Sequence, residues 1–142
     1  MTFQLHFEVI GSPIGKQRPK FARRGNFVST YTPLKTKLYE DQIREVASQA
    51  MGEVEPLDTP ITACFYITMP VPASYSKKAK EDCLSGKTRP TKKPDIDNVI
   101  KAFLDAMNGI VYLDDCQVVD LHVKKVYGTV GMVEIYIKES LD

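Results

Sequence analysis

Lys92-Lys93-Pro94-Asp95-Ile96-Asp97-Asn98-Val99-Ile100-Lys101-Ala102-Phe103-Leu104-Asp105-Ala106-Met107-Asn108-Gly109 is a stretch with a helix and both of its ends written into it. Val99, Ile100, Phe103, Ala106 and Met107 recur at three- and four-residue steps, which predicts one buried helical face. Pro94 and Asp95 supply a start and Asn108-Gly109 a stop. Asp95 and Asp97 therefore stand at the mouth of a buried helix, with Lys101 one turn further in. A second acidic pair, Asp114-Asp115, follows beyond the glycine, ahead of Val118-Val119-Asp120.

Two readings of these charges compete. A helix N-terminus carries partial positive charge, so one carboxylate there is an ordinary cap. Two of them, with Asp114-Asp115 folded back against them, could hold a hard cation such as Mg²⁺, which takes oxygen ligands and keeps several waters. Lys101 would then present a mobile positive charge to a phosphate, and the set would suit phosphodiester hydrolysis. The structural reading makes Asp95 an N-cap, Asp97 a first-turn acid, Lys101 its i+4 partner and Asp114-Asp115 a turn. A calcium loop fails directly. Counted from Asp95, its required glycine and glutamate positions are Ile100 and Ala106.

Composition allows one ordinary globular domain. The chain has 142 residues, 43% of them hydrophobic, and a net charge of only +1, so any nucleic-acid site must come from uneven placement of charge. That unevenness is present. Between Glu8 and Glu40 there is no acid, while Lys16, Arg18, Lys20, Arg23, Arg24, Lys35 and Lys37 are basic and Phe21 and Phe27 interleave with them. Lys87, Arg89, Lys92 and Lys93 form a second acid-free approach that runs into Asp95. Lys16, Arg18, Lys20, Arg23, Arg24, Lys92 and Lys93 are the candidate DNA contacts, of the kind that position a backbone rather than read bases. No apolar run reaches membrane-spanning length, and the first residues lack a signal peptide's pattern. Cys64, Cys83 and Cys116 are odd in number and lack metal-ligand spacing, which fits a reducing cytoplasm. His6 and His122 fall on polar faces of strand-like stretches.

Phe3, Leu5, Phe7 and Val9 alternate with polar residues as a first strand, ended by Gly11-Ser12-Pro13, and a long loop is expected from there to Pro33. Thr32-Pro33 should open a first helix whose apolar stripe is Leu34, Leu38, Ile43, Val46, Ala47, Ala50 and Met51, ending at Gly52. Ile61, Ala63, Phe65, Ile67 and Met69 mark a second strand, stopped by Pro70-Val71-Pro72. Ser76 caps a short polar helix over 77–84, followed by Gly86. Val119, Leu121 and Val123 predict a third strand, and Val133, Ile135 and Ile137 a fourth. The turn Gly128-Thr129-Val130-Gly131 pairs these two as an antiparallel hairpin. The order predicts an α/β (α+β) fold, a single-domain mixed β-sheet with helices packed on it.

Lys93-Pro94-Asp95-Ile96-Asp97-Asn98, Lys101-Ala102, Leu104-Asp105-Ala106, Leu113-Asp114-Asp115 and Gln117-Val118 together resemble the RusA family of Holliday-junction resolvases. The match is strongest over about 30 residues and extends more weakly to Gly15-Lys16-Gln17-Arg18-Pro19 and Tyr31-Thr32-Pro33. The resemblance implies one RusA-like endonuclease domain over residues 1–142, acting as a homodimer that needs Mg²⁺ and nicks opposed strands of four-way junction DNA symmetrically. Carried over by position, Asp95, Asp97 and Asp115 are the catalytic and metal-binding carboxylates. Lys101 is the catalytic lysine, and Asp114 is a further acid at the metal. One departure is visible: Thr91-Lys92-Lys93-Pro94 stands where some members carry an arginine run, and lysine contacts phosphate differently. Two rival functions remain, a non-catalytic nucleic-acid-binding module and a Mg²⁺ nuclease for other branched or linear DNA.

Overall fold

Period-two patterning produces the strands and 3.6-residue patterning the helices, in the order β1 (Gln4–Ile10), β2 (Lys20–Arg24), β3 (Phe27–Tyr31), α1 (Leu34–Met51), β4 (Ile61–Pro70), α2 (Lys77–Leu84) and α3 (Ile96–Met107), then one 3₁₀ turn (Asp115–Gln117), β5 (Val118–Gly128) and β6 (Met132–Glu139). The computed structural model describes residues 3–17, 20–31 and 33–140. Arg18 and Thr32, and with them the expected threonine cap of α1, lie outside the described residues. The fold is mixed α+β, as the element pattern predicts.

Four strands form one sheet in the order β1-β6-β4-β5. β6 runs antiparallel to β1 and to β4, while β5 runs parallel to β4. Its inner face is apolar: Leu5, Phe7 and Val9, then Val133, Ile135 and Ile137, then Ile61, Ala63, Phe65 and Ile67 are all buried. On that face lie α1, through Tyr39, Ile43, Ala47 and Met51, and α3, through Val99, Ile100, Ala102, Phe103, Ala106 and Met107. The outer face carries His6 stacked on Tyr136 at 4.3 Å, with Tyr66 edge-on to the same tyrosine. Among the described residues no helix is long and apolar enough to cross a membrane.

Four expectations are corrected. β5 and β6 do not pair as a hairpin, because β4 lies between them. The connection at 128–131 must therefore step about 10 Å, two strand spacings, over the end of β4. Pro70 ends β4 at that point, and Gly131 lets the chain cross closely. A Cβ on Gly131 would lie 2.9 Å from Ser12 Cα and 3.1 Å from Pro70 Cδ. The stripe of α1 is also rotated from the expected one. Leu34 and Leu38 are 68% and 58% exposed, and the buried face is Thr36, Tyr39, Glu40, Ile43, Ala47 and Met51. Two polar residues sit on that face because each has a partner: Glu40 pairs with Lys16, and Thr36 Oγ1 accepts from Gln17 N–H. In β5 the register against β4 shifts so that Ile61 faces Val118 and Thr62 faces Asp120, which leaves Val119 as an extra, exposed residue.

The expected loop between Pro13 and Pro33 contains a hairpin. β2 and β3 pair antiparallel with Arg24 opposite Phe27, so Gly25-Asn26 is the two-residue turn, with Gly25 at φ 59°. A glycine-asparagine pair between residues of strand type is a known hairpin signal, and the density of basic residues obscured it.

Candidate functional site

Asp95 stands at the N-cap of α3, with extended φ and ψ of −70° and 148°, but its carboxylate accepts no capping hydrogen bond. Its nearest polar contact is the Asn98 side-chain amide, 3.5 Å away. Asp97 is in the first turn, exposed, beside it. The capping role that the structural reading assigns to Asp95 is thus not how its oxygens are used. Lys101 does not close on Asp97 either. Its ammonium lies 3.3 Å from Asp105, the acid one turn on the other side.

Asp95, Asp97 and Asn98 line a cleft of about 750 Å³ together with Lys16, Gln17, Lys35, Lys93 and Pro94. Its wall is the segment 13–17, threaded between the two buried helices. Lys16 N–H donates to Asn98 O at 2.8 Å, and Gln17 N–H to Thr36 Oγ1 at 3.4 Å. Gly15 permits the approach: a Cβ there would fall 3.0 Å from Asn98 Cβ and 3.1 Å from Pro94 Cβ.

Lys16 is held more tightly than a surface phosphate contact would be. Its ammonium lies 2.6 Å from Glu40 and 3.4 Å from Asp105, so it braces α1 against α3. Burial pulls its pKa down, but the hydrogen bond and charge of Glu40, with those of Asp105, outweigh that and hold it above the ordinary lysine value. Breaking a largely buried pair is costly, whereas the pair of Lys101, whose side chain is 62% exposed, is worth roughly 0–1 kcal/mol. Lys101 is free to move and Lys16 is not.

The second acidic pair is divided between two tasks. Asp114 caps the 3₁₀ turn, accepting from Cys116 N–H at 3.2 Å, while Gln117 Oε1 accepts from Asp114 N–H at 2.8 Å. Hydrogen bonds from the Cys116 side chain and backbone hold the Asp114 carboxyl below its usual range, and the same acid pushes the Cys116 thiol up. Asp115 is half-buried in that turn, and nearby the buried Tyr112 donates its hydroxyl to Leu104 O at 2.7 Å. Burial, then the charges of Asp115 and Asp105, raise the pKa of that phenol. The structure brings Asp95, Asp97 and Lys93 into one cleft and sets Asp114 and Asp115 on the neighbouring turn. Among the described residues no three His, Cys, Asp or Glu side chains converge as a metal cage.

Of the expected DNA contacts, Arg23 and Arg24 are exposed on the β2–β3 hairpin, Lys93 lines the cleft, and Lys92 donates to Tyr75 Oη at 3.2 Å. Lys20 opens β2, with its side chain outside the described residues. Pattern reading overlooked Lys125. From β5 its ammonium donates to Lys92 O at 2.6 Å and Pro94 O at 2.8 Å, tying down the strap that ends at Asp95. Nothing local announces it, because its partners are backbone carbonyls some thirty residues away.

Asp95 and Asp97 at the mouth of α3 thus share one cleft with Lys16, Lys35 and Lys93. The chain belongs to the RusA endodeoxyribonuclease family. The sequence profile of that family, Endodeoxyribonuclease RusA, matches residues 11–138. A protein of Bacillus subtilis (strain 168), described as the uncharacterized protein YqaN, is 39% identical over 137 residues, covering 95% of this chain and 96% of that one.

Proposed function

We propose that this chain is a Mg²⁺-dependent, structure-specific endonuclease that resolves four-way DNA junctions by paired symmetric nicks, acting in the cytoplasm as a homodimer in DNA recombination and repair. The observation that carries the reading is the pair Asp95 and Asp97, which make no ion pair among the described residues and share a lysine-lined cleft. A two-fold dimer is the simplest way to make two symmetric cuts in a two-fold substrate.

The donor set suits a hard cation. Mg²⁺ is held through one or two carboxylates and keeps its remaining waters, so Asp95 and Asp97 would suffice as protein ligands, and Asp115 would be the further carboxylate that the family pattern calls for. Bound there, the ion would supply charge stabilisation to the phosphodiester and lower the pKa of water. Asp114 holds the turn that carries Asp115. Lys101 leaves its weak pair with Asp105 and stabilises negative charge developing on the phosphate. Lys16, pinned by Glu40 and Asp105, keeps the cleft wall in register. Arg23, Arg24, Lys92 and Lys93 hold flanking phosphates.

A labelled synthetic four-way junction is the test, incubated with and without Mg²⁺ beside a linear duplex of the same arms. Paired nicks in the junction alone, lost with EDTA, are expected. Equal cutting of both substrates leaves a nuclease without junction preference, and binding without product under every metal makes the chain a binding module.

Lys125 gives a second expected result. Lys125→Met keeps the aliphatic stem and removes the donor shared by two carbonyls, a loss of about 2 kcal/mol in urea unfolding. With the strap loosened, junction cleavage should fall by roughly 10²-fold, the scale of a slightly misplaced reacting group. Cleavage within threefold of the parent protein would show that the strap holds itself.

A further inference from the structure

The β2–β3 hairpin is the one part of the described structure that exposes large aromatic side chains without an internal reason. Phe21 is 74% and Phe27 81% exposed, and Val28 beside them is exposed too. The ribbon forms a two-stranded sheet of its own, separate from the four-stranded one. Its register places Phe21 opposite Thr30, Arg23 opposite Val28 and Arg24 opposite Phe27. Residues two apart share a face, so Phe21, Arg23 and Val28 lie on one face and Arg24 and Phe27 on the other. Each face thus pairs an aromatic ring with a guanidinium.

Placement and charge indicate what meets these faces. The hairpin is inserted between Gln17 and Lys35, both of which line the cleft of Asp95 and Asp97, so it rises from that cleft's rim. No acid occurs from Val9 to Tyr39, so the ribbon suits a polyanion. Five strand residues extend about 17 Å, close to five base-pair steps along a duplex. A ribbon that only lay in a groove would need polar side chains toward the base edges. Rings on opposite faces instead suit a space between two base stacks. Such a space exists at a branch point, where stacking is already interrupted, and opening it elsewhere is costly.

We propose that the hairpin is an insertion element, with Phe21 and Phe27 stacking on bases at the branch point while Arg23 and Arg24 hold the flanking phosphates. This rests on the junction-resolving reading and deepens it. Branch selection lies in the hairpin, and cutting lies in the cleft. Base–aromatic stacking tolerates any sequence, so the element recognises an interruption rather than a base order.

The test uses the full chain as Asp97→Asn, to prevent cutting, with a junction carrying 2-aminopurine beside the crossover. Binding should raise its fluorescence severalfold. Phe21→Ala with Phe27→Ala should abolish the rise and weaken junction binding at least tenfold, leaving linear-duplex affinity within twofold. Phe27→Tyr should restore signal and affinity where Phe27→Leu does not, which separates stacking from bulk. Arg23→Ala with Arg24→Ala should weaken both substrates and lower the salt slope by about two. In the cutting-competent chain the double phenylalanine variant should lose at least tenfold in junction cleavage. Unchanged fluorescence and cleavage in that variant overturn the insertion element and leave the endonuclease reading standing. Loss of signal together with dissociation of a dimer, seen by sedimentation, overturns it in favour of a subunit contact. A parent chain that neither binds nor cuts junctions removes the functional reading and the insertion element with it.

Discussion

Asp97→Asn lowers strand cleavage by about 10³-fold or more and leaves junction binding intact or tightened. The substitution keeps the shape of the side chain and removes one negative charge from the cleft that receives the phosphate. Asp97 makes no ion pair among the described residues, so no buried partner is orphaned by the change. As a first-turn acid it interacts with the helix dipole for roughly 0.3–1 kcal/mol, too little to unfold the protein. A group that helps hold charge against the transition state acts on the scale of 10²–10³-fold or above. Single-turnover cleavage and gel-shift titration on one junction, with a thermal melt alongside, separate these effects. Cleavage within tenfold of the parent would return Asp97 to the role of an ordinary helix-start acid.

Phe103→Ala costs about 3–5 kcal/mol of stability. Phe103 has no exposed surface and joins three elements: its ring meets Tyr39 of α1 edge-on at 5.8 Å and Phe65 of β4 at 5.7 Å. The cavity opens where α3, α1 and the sheet meet, and none of the three can close it without shifting the other two. Against a typical total of 5–15 kcal/mol this is a large fraction, and the melting temperature should fall by roughly 10 °C. Urea unfolding followed by circular dichroism measures it. A loss below about 1.5 kcal/mol would mean that the helix collapses onto the sheet. Because α3 carries Asp97 and Lys101, cleavage should fall at temperatures well below the new midpoint.

Legibility followed how local each determinant was. Both ends of α3 and the cap of α2 are set by residues within a turn of the boundary, and they stand where their signals place them. The sense of the sheet was harder to read. Gly128 to Gly131 announces a reversal, but nothing within those residues says that β4 must enter between the reversed strands; that is decided by which apolar faces α1 and α3 cover. The face of α1 turned for a similar reason. Glu40 is buried with Lys16, twenty-four positions earlier, as its nearest partner, and a polar residue with a distant partner reads as surface. Lys101 shows a third kind of ambiguity. Acids flank it at four residues on either side, and tertiary packing selects Asp105. The carboxylates of the cleft were legible because their pattern is dense and short-range, whereas Lys125 acts on backbone atoms and leaves no pattern at all.

The position of β6 also determines when the molecule can assemble. β1 has only β6 as a neighbour, and β4 has β6 on one side and β5 on the other. Every strand pair of the main sheet therefore waits for residues from Val118 onward, and Gln4 pairs with Lys138, 134 positions away. Synthesis proceeds at about 5–20 residues per second, so the helices emerge seconds before their floor exists. Such non-local closure is slow, in the range of milliseconds to seconds for sheet-rich topologies. While the chain is still being made, the acids of α3 have no sheet to hold them in place. The floor under the catalytic candidates is thus the last part of the sheet to form, and α3 gains its full support only when β6 pairs with β4 and β1.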